Sequence, residues 1–185
     1  MSETIKKPED IWLIHSTDFT QNTPADNAGI WDLLCECNAL PELLFFIDQT
    51  NPISEINLRK IAYDFVTKTN VSNEENTDKE LVTDPMLKEA LKKIKLYLYS
   101  DDDEDNERLP PMITELTLIT KETKSVALVM AVARIAENSF TVGDLIDVEF
   151  DVYNAAKLVG CDIQTIKKQH LEIIKSFGNP FSSKK

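Results

Sequence analysis

The sequence predicts an all-α protein, an irregular helical bundle of six to eight helices. The chain of 185 residues contains four glycines, whereas doubly wound α/β folds and β-sandwiches use glycine in many turns. Several segments repeat apolar residues at spacings of three and four, which is the pattern of an amphipathic helix. Pro, Asp or Asn stands where such segments begin, as expected of helix starts. A hydrophobic content of 42% is sufficient for a core.

Residues 1–25 are predicted to form a polar N-terminal arm, and residues 26–178 a single helical domain. We expect Trp12, within IWLIH, to dock the arm on the domain. The first helix is expected in DNAGIWDLLCECN, where Asp26 or Asn27 can accept a hydrogen bond from an unpaired backbone amide. Its predicted inner face consists of Ile30, Leu33, Leu34 and Cys37.

The next three helices have clearer starts. LPELLFFIDQT has Pro41 at a first helical position, and NPISEINLRKIAYDFVTKTN opens with Pro52. After a polar loop over 69–83, DPMLKEALKKIKLYLY begins with Asp84 as its cap and Pro85 at its first position. The helix that follows Pro52 has the predicted core positions Leu58, Ile61, Ala62, Phe65 and Val66. The helix that follows Asp84 has Leu87, Leu91, Ile94 and Leu98.

The C-terminal part of the domain begins with an ambiguous segment. Residues 112–120 fit a short strand or a helix, and we favour a helix. TKSVALVMAVARIAENS is apolar on nearly every side, which predicts a helix at the centre of the bundle with Val129, Val132 and Ile135 buried. Two amphipathic helices follow, separated by a Gly160 cap and an Asp162 cap, and 179–185 form a tail. Their predicted inner faces are Leu145, Val148, Val152, Ala156 and Val159, and then Ile163, Ile166, His170, Ile173 and Phe177.

Six acids stand within residues 101–107, and an alternative domain division falls at this acidic loop, 100–110. The run lacks the sixth-position glycine and twelfth-position glutamate of an EF-hand. We expect an exposed loop whose acids keep the turn solvated and attract a basic protein surface. LPELLFFI adds apolar residues beyond what the domain's own core requires. The predicted partner-binding residues are therefore Asp101, Asp102, Asp103, Glu104 and Asp105, with Leu43, Phe45 and Phe46.

The net charge of −12 belongs to the first part of the chain. Residues 1–107 carry 23 acids and 10 bases, whereas residues 108–185 carry 9 acids and 10 bases. Such a field repels nucleic-acid phosphates and attracts basic proteins. We therefore expect a protein partner with a basic surface and no nucleic acid. No apolar stretch reaches the roughly 20 residues of a membrane span, and no signal-peptide pattern is present, so we expect no membrane insertion and a cytoplasmic location.

No catalytic or cofactor-binding signature appears, so the sequence predicts no enzyme activity and no cofactor. Cys35 and Cys37 would point about 200° apart on a helix, which favours core-filling thiols over zinc ligands. His170 lies on an apolar face and is expected to be a core histidine. Asp147 and Asp151 lie one helical turn apart and could share a metal ion, although an exposed helix face is the commoner meaning of this spacing.

Residues 125–166 resemble the TerB family of tellurite-resistance helical domains. The likeness lies in SVALVMAVARIAENS, a short turn, and an acidic helix ending in AAKLVGCDIQTI. The resemblance implies a small helical scaffold in which an Asp-Gly turn and acids of the next helix bind a divalent metal. Phe140 and Thr141 stand where the Asp-Gly would fall, flanked by Glu137 and Asp144. The resemblance therefore implies the scaffold without a matched metal site.

These observations favour a non-enzymatic, acidic adaptor or chaperone-like interaction subunit of a larger protein assembly. One alternative is a TerB-like stress protein that binds a divalent metal through residues near 137–151. Another is an acidic mimic of nucleic acid that occupies a basic site on its binder.

Overall fold

The computed structural model describes residues 6–71, 80–100 and 126–182. Within these ranges the chain is all-α, as predicted, and the extended pairing there is a single antiparallel bridge between Asn70 and Glu80. Two 3₁₀ helices come first, at Pro8–Ser16 and Phe19–Gln21. The α-helices of the described ranges are α1 Pro24–Glu36, α2 Leu40–Thr50, α3 Glu55–Lys68, α4 Pro85–Tyr99, α5 Val126–Ile135, α6 Val142–Leu158 and α7 Ile163–Ser176.

Several sequence predictions concern residues outside the described ranges. They are the acidic run 101–107, the segment 112–120 and most of the polar loop 69–83. In the part of the chain that the structure does describe, no helix is both long enough and apolar enough to cross a bilayer.

Helices α3 and α6 occupy the centre of the bundle. Helix α3 packs against α4, α5, α6 and α7, and α6 packs against α2, α3, α5 and α7. The predicted burial of Val129, Val132 and Ile135 in α5 is confirmed. The predicted central position of α5 is wrong, because Val126 and Met130 leave one side of this helix exposed.

Helix α1 begins two residues earlier than the predicted cap. Its cap is Thr23, whose hydroxyl accepts a hydrogen bond from the Asp26 amide at 3.2 Å, while the Asp26 carboxylate accepts one from the Thr23 amide at 3.2 Å. This is a capping box, in which the acid occupies the third helical position instead of the cap. The predicted caps Asp84 and Asp162 of α4 and α7 are confirmed.

Most predicted core positions are buried, and the exceptions are Ile163, the half-buried first residue of α7, and residues in α1 and just beyond helix ends. In α1, Trp31 and Cys35 are buried, whereas the predicted Leu33 and Cys37 are half-buried. Val159 and Phe177 are exposed because α6 and α7 end one residue before them. The predicted inner faces of α3 and α4 are buried in full.

The N-terminal segment joins the core through residues other than the predicted one. Ile14 and Phe19 are buried, and the Phe19 ring packs edge-on against Phe46 with 4.9 Å between centroids. Trp12 is 73% exposed, so the docking role expected of it is wrong. A 3₁₀ helix has three residues per turn, which places Trp12 and His15 on one face and directs Ile14 elsewhere.

The residues that follow α7 pack back onto the first two helices. The Asn179 side-chain amide donates hydrogen bonds to the Ala28 carbonyl at 3.0 Å and to the Asp32 carboxylate at 2.8 Å. The Phe181 ring lies 5.5 Å from that of Phe46. The first part of the predicted tail therefore belongs to the packed structure.

Candidate functional site

A groove of about 480 Å³ lies between α2 and α6, beside the helix Pro8–Ser16 and one residue of α7. Apolar and aromatic side chains line most of it, with a few charged groups among them. Such concave, mainly apolar surfaces are the usual places for a ligand or a partner segment to bind. We call this surface the α2–α6 groove and define it by Phe45, Asp48, Glu149, Phe150, Tyr153 and Lys167.

Helical periodicity brings the lining residues of α6 together. Tyr153 stands four residues after Glu149 and three after Phe150, so the three residues share one side of the helix. Val148 and Val152 of the same helix are buried on the core side. Phe150 is 59% exposed. The sequence analysis missed this second face, because it assigned α6 one inner stripe and treated the acids around Phe150 as a solvated surface.

Aromatic residues of the N-terminal 3₁₀ helix extend the apolar surface. The His15 ring lies against Phe45 with 4.4 Å between centroids, and His15 lines the groove. Trp12 shares a face with His15 and is largely exposed. Exposed aromatic side chains around a concave site are typical of residues that dominate binding energy at protein interfaces.

The carboxylates Asp48 and Glu149 line the groove, and neither has a Lys or Arg within ion-pair distance among the described residues. The Glu149 side chain is 15% exposed, and its Oε1 lies 3.2 Å from Nδ1 of His170. By contrast, the Asp64 side chain, 5% exposed, is paired with Lys68 at 2.6 Å. The groove therefore holds a largely buried carboxylate whose neighbour is a histidine.

His170 is fully buried and connects Glu149 to α3. Its Nε2 lies 2.9 Å from Thr69 Oγ1, and the Thr69 hydroxyl donates to the Phe65 carbonyl at 2.6 Å. On the other side of the ring, Nδ1 lies 3.2 Å from Oε1 of Glu149. Stacking of the imidazole on Phe65, 4.3 Å between centroids at 22°, fixes the ring, and the hydrogen bond in turn fixes Glu149.

The order Thr69, His170, Glu149 places a hydroxyl, an imidazole and a carboxylate in series, as in a hydrolase triad. Thr69 and His170 are buried, however, and the hydroxyl hydrogen is committed to a backbone carbonyl. A nucleophile needs both access to substrate and a base that accepts its proton. This chain of hydrogen bonds therefore has a structural role, and the predicted burial of His170 is confirmed.

The cysteines are free thiols. Burial raises the pKa of Cys35 to about 11, and burial also raises the pKa of Cys161. A raised pKa lowers the thiolate fraction and with it nucleophilicity. Cys35 lies in the core, which agrees with the prediction of a core-filling residue.

The apolar residues predicted to bind a partner are divided between the core and the groove. Leu43 and Phe46 are fully buried within this chain, and Phe45 lines the groove. The apolar residues of α2 that looked surplus to the core are used by the protein itself, because Phe19 and Phe181 pack on Phe46 from the two ends of the chain.

The two candidate metal ligands lie beside an arginine. Asp147 is 3.1 Å from Arg134, which is also 3.7 Å from Asp144. Burial raises the pKa of Asp151, against the opposing effect of Arg134. In the described residues no group of three or more His, Cys, Asp or Glu side chains could hold one metal ion. On this face of α6 the positive charge between Asp144 and Asp147 comes from Arg134.

The turn before α6 is held by packing and by a buried arginine that the sequence analysis missed. Phe140 is buried, and the guanidinium of Arg59 lies 5.3 Å from its ring centroid. Arg59 donates to the Ile135 carbonyl at the end of α5 and to the Glu55 carboxylate. Thr141 is the cap of α6. Phe140 and Thr141, which stand where TerB-like domains have Asp-Gly, thus have structural roles here.

No family model, no curated protein and no solved structure matches the chain. The resemblance of residues 125–166 to TerB-like domains stays a prediction.

Proposed function

We propose that this protein is a non-enzymatic interaction module that binds a segment of a partner protein in the α2–α6 groove. The exposure of Phe150 beside Phe45 and Tyr153 carries the proposal. An aromatic side chain left exposed next to a concave apolar surface has an unfavourable contact with water that a partner can remove.

The energetic scale fits partner binding. An aromatic side chain buries about 150–250 Å², and apolar burial contributes roughly 25 cal/mol per Å². Full coverage of Phe150 would thus add several kcal/mol at most, the magnitude of a strong interface residue. Trp12 would enlarge the covered area if the partner extends along the N-terminal 3₁₀ helix.

The chemistry of the described residues supports binding over catalysis. The hydroxyl–imidazole–carboxylate series is buried, and burial raises the pKa of the Cys35 and Cys161 thiols. The groove, together with the acids at 101–107 that favour a basic partner, supports the proposal of an adaptor or chaperone-like role within a larger assembly.

A selection from a displayed random peptide library, carried out on the full chain, tests this function. We expect enriched peptides to bind the wild-type protein and to lose at least about tenfold in affinity on the Phe150→Ala variant, because truncation of an interface aromatic commonly costs 2 kcal/mol or more.

Leu158→Ala supplies the matched control. Leu158 lies on the same helix and is 76% exposed, but it does not line the groove. Peptides that bind wild type and Leu158→Ala equally, but not Phe150→Ala, support the proposal. Equal loss on both variants, equal binding to all three proteins, or no enrichment would contradict it.

A further inference from the structure

We propose that the α2–α6 groove contains a subsite for a cationic side chain, formed by Asp48 and Glu149. The inference rests on the proposed function and names the chemistry of the occupant: a peptide segment in which an apolar anchor stands next to a lysine or arginine. The anchor would cover Phe150, and the cation would lie between the two carboxylates.

Two other shielded carboxylates of this protein are paired with a lysine or an arginine. Asp64 and Asp144, whose side chains are also mostly buried, lie within ion-pair distance of Lys68 and Arg134. Glu149 has no such cation among the described residues and is held by His170 instead. Each opposite charge near a shielded carboxylate stabilises it, and an incoming lysine or arginine would add a charge beside the His170 contact.

The Glu149 carboxylate is already oriented before a ligand binds. Its Oε1 is engaged by Nδ1 of His170 at 3.2 Å, which leaves Oε2 as an acceptor. The imidazole cannot swing away, because Phe65 stacks on one side and Thr69 binds Nε2. Groups that are ordered before binding lose less entropy when the ligand arrives.

The surroundings of Asp48 also favour a cation. This residue stands in the last turn of α2, which ends at Thr50. The unpaired carbonyls at the C-terminal end of a helix carry partial negative charge and favour cations. The ring faces of Phe45, Phe150 and Tyr153 add an attraction for a cation that lies within about 6 Å, and the net charge of −12 attracts a basic segment from a distance.

Lys167 of α7 also lines the groove and opposes a cation there. Opposite changes in affinity are therefore expected when the charge of Lys167 or of Asp48 is removed. Removal of the Lys167 charge should strengthen cation binding, whereas removal of the Asp48 charge should weaken it.

The experiment uses three small probes that share a phenyl ring: 2-phenylethylammonium, 2-phenylethanol and 3-phenylpropanoate. Amide shifts of the labelled full chain report binding at groove residues near pH 7. At about 0.01 M salt we expect the ammonium probe to bind at least about fivefold more tightly than the alcohol, and the propanoate to bind most weakly. At about 1 M salt, where the Debye length is near 3 Å, the difference should shrink.

Charge variants locate the effect. Asp48→Asn should bring the affinities of the ammonium and the alcohol closer together, and Lys167→Gln should move them further apart. Glu137→Gln, an exposed acid at the end of α5 that does not line the groove, should leave their ratio unchanged. For Glu149→Gln the melting temperature is measured as well as probe binding, because the loss of the Glu149 charge also affects its contact with His170.

The alternative results separate this inference from the proposed function. An alcohol that binds as tightly as the ammonium, or a propanoate that binds most tightly, overturns the cation subsite and leaves the groove as an apolar docking site. Absence of shifts at groove residues with all three probes also overturns the subsite. The proposed function is then still decided by the library selection and by the comparison of Phe150→Ala with Leu158→Ala.

Discussion

At the scale of single residues, His170 and Glu149 make the connection between the core and the candidate site. The imidazole is buried, stacked on Phe65 and bonded on both ring nitrogens, while its carboxylate partner reaches the α2–α6 groove. A polar group in the core has to keep its hydrogen bonds, because an unpaired one costs about 1–3 kcal/mol. The stability of this pair and the geometry of the groove are therefore linked.

We expect His170→Ala to lower the free energy of unfolding by about 3 kcal/mol or more. The substitution leaves Glu149 without its hydrogen-bond partner and creates a cavity beside Phe65, and both effects destabilise the folded state. Urea denaturation followed by circular dichroism measures the change.

His15→Ala is the control for this prediction. His15 is exposed, so its replacement should change stability by no more than about 0.5 kcal/mol. Similar losses for the two histidines would mean that the buried network contributes little to folding.

At the scale of elements, the effect of a substitution depends on whether it lies on the buried or the exposed side of a helix. Helix α5 buries Val132 against α3, α4 and α6 and exposes Met130 two residues away. Helix α6 has a second apolar side at Phe150, outside the core. The two cases show that apolar residues around a helix can serve the core on one side and remain open on another.

Val132→Asp should destabilise the protein by several kcal/mol, because a charge would be buried without a partner. Met130→Asp places the same charge on the exposed side of the same helix and should cost much less. Thermal or urea unfolding of the pair gives the comparison. If the two variants unfold alike, the assignment of the buried side of α5 is incorrect.

At the scale of the whole molecule, charge and apolar surface act over different distances. The acids of the first 107 residues would attract the proposed basic partner over about one Debye length, near 10 Å in 0.1 M salt. The groove acts on contact. Long-range attraction mainly raises the association rate, whereas close packing mainly slows dissociation.

The sequence predicts that the run 101–107 is exposed, and exposed ion pairs contribute roughly 0–1 kcal/mol each. Replacement of all six acids by serine or asparagine should therefore leave the fold intact. Association of a lysine-containing peptide selected for the groove should become slower at low salt and change little at high salt. Stopped-flow rates at two salt concentrations test this. Equal association rates of the two proteins at low salt would mean that the acids serve only solubility. Loss of folding would mean that these acids have structural partners.

The sequence by itself determined the fold class, the caps Asp84 and Asp162, and the inner faces of α3 and α4, because capping and apolar periodicity are local properties of the chain. It also predicted that Phe45, Leu43 and Phe46 bind a partner; Phe45 lines the groove, whereas Leu43 and Phe46 are buried. The spacing of residues cannot show which apolar side chains are covered by distant parts of the chain.

Tertiary structure decided the rest. Phe46 is covered by Phe19 and Phe181 from opposite ends of the sequence, and Glu149 meets a histidine 21 residues later that itself bonds to a threonine 101 residues away. These contacts depend on how α2, α3, α6 and α7 pack together. The groove exists because the packing of these helices covers Phe46 and leaves Phe150 exposed. Which side chains are covered depends on how the shapes of all the helices fit together in the bundle.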